Sequence, residues 1–295
     1  MQNVYKSSII LSFFGLFIGS MFSAEYQSYL GFFLIFTFGI IHGTNDLLLL
    51  SKINENQTET YAGIFVKYIF VILLTVLSFK FMPLVTLIFF IGFSAYHFGE
   101  QHFEYVEKIT DDIAIKSFQL LYGLFVLLLL FYCNTAEVIA IIREMTLSTV
   151  KESVFFYALF LIAVLLILNG IYIGVKSATF HSKILIEIFY IVVFAVIFKS
   201  TTLIWGFALY FILWHSIPSI ISQVEFIHGQ TNKHTFFKYI KTGVFFWLIS
   251  MIAIAIIFVL FKNKQLVYTL FFSFIISITF PHVIIIQKMF SKKRQ

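Results

Sequence analysis

Charge is the scarcest resource in this chain. Asp, Glu, Lys and Arg together make up 12% of its 295 residues, against 60% hydrophobic residues, and the mean hydropathy is +0.98. A water-soluble globule cannot coat itself with so little polar surface, so a soluble enzyme or binding module is excluded. Cysteine is nearly absent: Cys133 stands alone, which rules out an intrachain disulfide framework and a thiolate-rich metal site. Any metal must be held by histidine or carboxylate. Prolines number three, and the apolar runs lack the alternation of barrel strands, which selects helices as the spanning structure.

What is present is a series of long apolar stretches. Breaking the chain at its polar clusters gives ten candidate spans, at 7–23, 29–51, 61–79, 84–102, 117–133, 153–175, 184–199, 202–224, 240–261 and 266–288. The expected fold is an all-α, polytopic transmembrane helical bundle, a single integral membrane domain over 1–295. Residues 136–150, with Arg143 and Glu144 among apolar neighbours, read as an interfacial helix. The segment Glu104 to Asp112 reads as a solvated acidic connection. The run Ile9 to Phe22 after Lys6 also has the outline of a secretory signal, but a chain with many further spans would insert with or without cleavage.

The net charge of +6 is carried by short loops and by the tail Lys288, Lys292, Lys293 and Arg294. That distribution is a topology signal and not a nucleic-acid surface. With ten alternating spans, Lys6, Lys52, Lys67, Lys108, Lys116, Lys176, Lys183, Lys233, Lys238, Lys241 and those four tail residues fall on the side of both termini. Lys80, Arg143, Lys151, Lys199, Lys262 and Lys264 fall opposite. The positive-inside rule then makes both termini cytoplasmic.

Of the eight histidines, His102, His181, His228 and His234 fall at span ends or in loops and read as surface residues. The other four lie within spans, in the strings Gly39-Ile-Ile-His42-Gly-Thr-Asn-Asp46, Ser94-Ala-Tyr-His97-Phe-Gly-Glu100, Leu213-Trp-His215-Ser-Ile-Pro218 and Phe280-Pro-His282. An ionisable side chain inside a bilayer is costly and marks function by default. These four occupy the second, fourth, eighth and tenth spans, which run in the same direction. Each comes roughly 13 to 16 residues after its span begins, or about 20 to 24 Å along the helix. Four imidazoles at one depth on four helices are placed to converge on one ion, whereas unrelated core histidines have no reason to share a level. Imidazole suits iron, zinc, copper and nickel, so ligand type alone does not name the metal. Asp46, Glu100, Tyr96, Thr44 and Ser216 stand close enough in sequence to accept or share the second N–H of these rings. Gly39, Gly43, Gly92 and Gly99 would permit close helix approach, and Pro218 and Pro281 would break their helices locally.

At these strings the sequence resembles the Brp/Blh family of bacterial and archaeal β-carotene 15,15′-dioxygenases, integral membrane proteins. The resemblance runs from His42 to His282 and rests on His-Gly-x-x-Asp at 42–46, Tyr-His-Phe-Gly-Glu at 96–100, Trp-His-Ser at 214–216 and Pro-His at 281–282. One departure is Ser219, where some members carry a second histidine one turn after the Trp-His pair. The resemblance implies Fe(II) held by His42, His97, His215 and His282, with O₂ and β-carotene as substrates and two retinal molecules as products. It implies a multi-pass protein of the bacterial cytoplasmic membrane whose retinal passes to a microbial rhodopsin, with no nucleic-acid partner. Trp214, Phe93 and Phe98, beside the histidines, are the candidate substrate contacts. Two other classes use similar residues: a His-lined metal or proton transporter, with Asp46 and Glu187 on the pathway, and a membrane iron hydroxylase or desaturase. The second normally carries closely spaced histidines in loops, and such arrays are absent here.

Overall fold

A computed structural model describes residues 2–54, 60–104, 112–260 and 264–293, and every regular element among them is helical. The elements are α1 (Gln2–Ser20), α2 (Ala24–Leu34), α3 (Asp46–Ile53), α4 (Tyr61–Phe81), α5 (Pro83–His102), α6 (Asp112–Cys133), α7 (Thr135–Thr146), α8 (Glu152–Lys176), α9 (Ala178–Lys199), α10 (Leu203–Tyr210), α11 (Ile217–His228), α12 (Lys233–Leu260) and α13 (Lys264–Lys293). Most of the acidic connection, 105–111, lies outside the described residues, as do Lys108, Lys262 and Arg294 of the charge count.

Nine helical stretches among the described residues are long and apolar enough to cross a membrane. They correspond to the last nine of the ten expected spans. The first candidate is helical as well, over the 19 residues of α1, but the Asn-Val-Tyr-Lys-Ser-Ser stretch of its first turns makes it less apolar than the others. α7 is only 12 residues long. At 1.5 Å per residue it falls well short of the hydrocarbon thickness, as an interfacial helix should. Several starts are set by hydroxyl caps: Ser23, Thr60, Ser177 and Thr202 accept from the backbone N–H of Tyr26, Gly63, Phe180 and Trp205. α11 ends at Gly229, whose φ of +74° places it in the left-handed region that glycine reaches without penalty.

Two of the spans are not continuous α-helices. Ala24–Ile53 passes from α2 through a π-helical turn, Ile35–Gly39, and a 3₁₀ turn, Ile40–Gly43, into α3. Leu203–His228 passes from α10 through a π-helical turn, Phe211–Ser216, into α11. Pro218 accounts for the second break: it has no N–H to return to the preceding turn and its ring crowds the carbonyl of Trp214, four residues back. No proline is near the first break. Pro281 sits inside α13, which stays helical on both sides.

The chain forms two compact units: Met1–Ile35 with Ser94–Arg143 and Ser148–His215, and Phe36–Phe93 with Glu144–Leu147 and Ser216–Gln295. In the first unit, α6 packs along α8 and α9, and α10 along α1, α2, α6 and α9. Small residues set these approaches. A Cβ on Gly99 would strike the Gln119 carbonyl, and one on Gly123 the Ala95 carbonyl, so α5 and α6 meet backbone to backbone. Trp205 fits against α1 where Gly15 and Gly19 lie, and its Nε1–H donates to the Gly15 carbonyl at 3.2 Å. In the second unit, α13 packs along α3, α4 and α12, and Leu49, Ile285, Ile286, Met289 and Phe290 form a buried cluster. Large apolar side chains such as Phe70, Leu77, Phe160, Leu168 and Ile252 remain exposed. Such a surface is tolerable only in lipid.

Candidate metal centre

The four intramembrane histidines are all buried, none more than 7% exposed. They occur as two pairs, one in each unit.

In the second unit the rings of His42 and His282 meet edge to face, with centroids 4.7 Å apart. His282 Nδ1 lies 2.7 Å from Asp46 Oδ1, and Tyr68 donates its hydroxyl hydrogen to Asp46 Oδ2 at 3.2 Å. Asp46 is itself buried. His42 Nδ1 bonds the carbonyl of Gly39. A carbonyl can only accept, so His42 carries its proton on Nδ1 and presents the Nε2 lone pair. With a carboxylate as partner, His282 is held in the same tautomer when neutral. Both rings thus share a feature of ligating histidines, one nitrogen hydrogen-bonded to an acceptor that orients the ring.

The break in the second span supports this arrangement. Irregular turns release backbone carbonyls that a continuous helix would satisfy, and in hydrocarbon each must find a donor. Trp247 Nε1–H donates to Thr37 O at 2.9 Å. Gln223 Nε2–H donates to His42 O at 2.9 Å, and the Tyr239 hydroxyl, 3.2 Å from the same carbonyl, donates to Gln223 Oε1 at 2.7 Å. Asn45 Nδ2–H donates to Tyr239 O at 2.9 Å. Gly43 lies in ordinary van der Waals range of the His282 ring, and Gly243 gives Thr44 and Asn45 room against α12.

In the first unit the rings of His97 and His215 are also edge to face, centroids 4.6 Å apart. Phe98 lies against His215 at 4.4 Å and Phe211 stacks on it at 5.6 Å. His215 falls within the π-helical turn, whose Leu213 carbonyl is taken by Ser8 Oγ–H at 2.6 Å. π-turns within helices recur at functional sites because they rotate the following side chains relative to the preceding ones. Trp214 is anchored by its Nε1–H to Ser12 Oγ at 2.9 Å and packs on Tyr5, Tyr190 and Phe194.

A family model for β-carotene 15,15′-dioxygenase matches residues 33–290, a stretch that contains all four histidines. The chain belongs to that family. It is therefore a carotene dioxygenase by family, consistent with the resemblance of its histidine strings. No curated protein matches it, and no solved structure does.

Within this dioxygenase the predicted neighbours of the histidines take different places. Asp46 is bonded to His282, 236 residues further along the chain, and not to His42 one turn away. Glu100 and Tyr96 are bonded to each other, the hydroxyl donating to Oε1 at 3.3 Å. Thr44 donates to the Ile41 carbonyl. Ser216 is buried with no hydrogen bond at its hydroxyl. Phe93 packs on Phe280 and is 36% exposed. Gly92 has open space around a built Cβ, so it is no packing glycine, unlike Gly99.

His102 is a correction. Its position at the end of α5 predicts a surface residue, but it is buried, with Nε2 2.7 Å from Glu187 and its ring stacked on Tyr122 at 5.0 Å. His181 and His234 are exposed as expected, and His228 is partly exposed. Sequence reasoning missed Tyr68, Gln223 and Tyr239. The available signal was a glutamine inside an apolar span, Gln223, which has the same cost logic as an intramembrane histidine.

Proposed function

We propose that the enzyme is an Fe(II)-dependent β-carotene 15,15′-dioxygenase that splits the central double bond of its substrate with O₂ to give two all-trans retinal molecules. His42, His97, His215 and His282 hold the iron, and residues 1–295 make a single integral membrane domain. The observation that carries this reading is the Asp46–His282 bond beside His42. Two buried imidazoles side by side, each with one nitrogen tied to a hydrogen-bond acceptor, have the arrangement by which histidines are oriented toward a divalent cation. The similar place of the four histidines along their expected spans in the sequence and the family membership support the four-ligand set.

The donors fit iron. Four neutral nitrogens without thiolate leave positions open on a five- or six-coordinate ion, whereas a tetrahedral structural zinc would be filled. The bound ion supplies the redox chemistry by which O₂ is activated. The chain's own residues do the rest. Asp46 and the Gly39 carbonyl fix the ring tautomers, while Tyr68 fixes Asp46. Gln223 and Tyr239 brace the broken span behind His42. Phe98 beside His215 and the partly exposed Phe93 are each proposed as apolar contacts for a rigid polyene with no polar handle, while Trp214, enclosed by Tyr5, Tyr190 and Phe194, backs the turn that carries His215 instead of touching substrate. Substrate and products dissolve only in the bilayer, which suits a multi-pass protein of the bacterial cytoplasmic membrane, both termini inside, handing retinal to a microbial rhodopsin.

The test is pigment chemistry. Expression in a bacterium that makes β-carotene is expected to bleach the cells and accumulate retinal, and His42→Ala, His97→Ala or His215→Ala to abolish both. A well-folded protein that leaves the pigment intact, or yields only alcohols or new double bonds, would overturn the reading.

A further inference from the structure

The second unit contains a cleft of about 790 Å³ bordered by α3, α4 and α13. Its lining has two characters. Leu50, Ile53, Ile64, Val71, Ile284 and Ile285 make it apolar, while Lys67, Lys288 and Lys292 bring three cations to it, with Asn54, Gln287 and Ser291 as further polar groups. No carboxylate is among the described residues that line it. Of the described acids, Asp46 is bonded to His282 and Tyr68, and Glu225 to Lys293 at 2.7 Å.

The two characters are ordered along the helices. Lys67 lies in the second turn of α4 and Lys288 and Lys292 in the last turns of α13. Moving toward the middle of each span leads to Val71 on α4 and to Ile284 and Pro281 on α13. From Lys292 to Pro281 the cleft extends about 16 Å at helical rise. One flank, α4, is a lipid-facing helix whose Val66, Phe70, Leu73 and Leu74 are all more than half exposed. A free phosphate or nucleotide would have to abandon water for these apolar walls, whereas an amphiphile with an anionic head would match both ends.

We propose that this cleft binds an anionic phospholipid, its phosphate among Lys67, Lys288 and Lys292 and its upper acyl segment along Val71, Ile284 and Ile285. The proposal stands independently of the oxygenase reading. Lys292 shows how the head would be held. Its ammonium has three hydrogens and donates to the carbonyls of Lys52 at 3.2 Å and Ile53 at 2.7 Å, which leaves one for an anion. The same contacts tie the end of α13 to the end of α3. The occupant would therefore fasten together the helix that begins at Asp46 and the helix that carries His282, so that bilayer charge would tune the rigidity of the Asp46–His282 pair.

Native mass spectrometry of the full chain in detergent, titrated with dioleoyl phosphatidylglycerol or dioleoyl phosphatidylcholine, tests this. Retention of phosphatidylglycerol over phosphatidylcholine is expected, with retention roughly thirtyfold weaker in Lys67→Gln/Lys288→Gln, from the usual attraction of a lysine to anionic lipid. Lys67→Arg/Lys288→Arg should retain the lipid, and Lys233→Gln/Lys238→Gln, which neutralises two exposed lysines at the start of α12, should bind it as the natural chain does. Equal retention of the two lipids by the natural chain would overturn the proposal. So would equal loss in the Lys233/Lys238 variant, or thermal protection by inorganic phosphate alone matching that by phosphatidylglycerol.

Discussion

Replacing Asp46 by Asn removes one charge from the dry interior while keeping the shape of the side chain. The carboxylate accepts two hydrogen bonds, from His282 at 2.7 Å and from Tyr68 at 3.2 Å. A hydrogen bond to a buried ionised group contributes about 1.5–3 kcal/mol, and loss of the charge weakens it by roughly half. Two such bonds lose about 1.5–3 kcal/mol together. Part of that loss falls on His282, whose Nδ1–H no longer faces an anion and whose Nε2 becomes less basic. The expected result is metal affinity lowered by about 10- to 100-fold. Anaerobic titration of metal-stripped protein with Fe(II), or with Co(II) as a spectroscopic substitute, reads this directly. Far-ultraviolet circular dichroism and denaturation on the same samples separate affinity from folding. Tyr68→Phe, which removes the weaker bond alone, should have a smaller effect in the same direction. A folded Asp46→Asn protein that takes up metal with natural affinity would refute the role given to Asp46, and with it the view that His282 is a ligand held by that carboxylate.

Three further outcomes are expected. Gln223→Leu, by depriving the His42 carbonyl of its donor, and Tyr239→Phe, by depriving Gln223 Oε1 of its donor, should each destabilise the protein by about 1–3 kcal/mol in a waterless environment, and should lower retinal yield in carotene-producing cells by more than the loss of folded protein explains. Gly99→Ala should be destabilised by at least about 1–3 kcal/mol in detergent denaturation, because the added methyl meets the Gln119 backbone and not a movable side chain. Glu187→Gln should lower stability while leaving metal content per folded molecule unchanged, since its carboxylate holds His102, which is outside the four proposed ligands; loss of metal in that variant would place the His102 pair in the centre itself.

The histidine spacing and the apolar runs were enough to single out the candidate site, because in a bilayer the cost of every polar group is visible in one dimension. A charge-poor chain must span, spans have a required length, and an imidazole within one stands out against its neighbours. That logic reached the helical fold, nine of the ten spans, the short helix α7 and the four buried histidines without any tertiary information. It failed where the third dimension decides. His102 looked like a surface residue because its helix ends there, but Glu187 and Tyr122 enclose it from other helices. Asp46 was legible as a partner for some ring, and one turn pointed to His42, yet the ring it holds belongs to α13. Of the turns that break two spans, Pro218 announced the one at 211–216, while no proline marks the one at 35–43. They persist because Trp247, Gln223 and Ser8, distant in sequence, supply donors to the Thr37, His42 and Leu213 carbonyls that irregular backbone leaves bare. Composition therefore determined that the chain lives in lipid and where its polar groups lie in depth, because hydration cost depends on local sequence. Which of those groups meet was settled only by packing, because hydrogen bonds between helices depend on rotation and distance that no single span encodes.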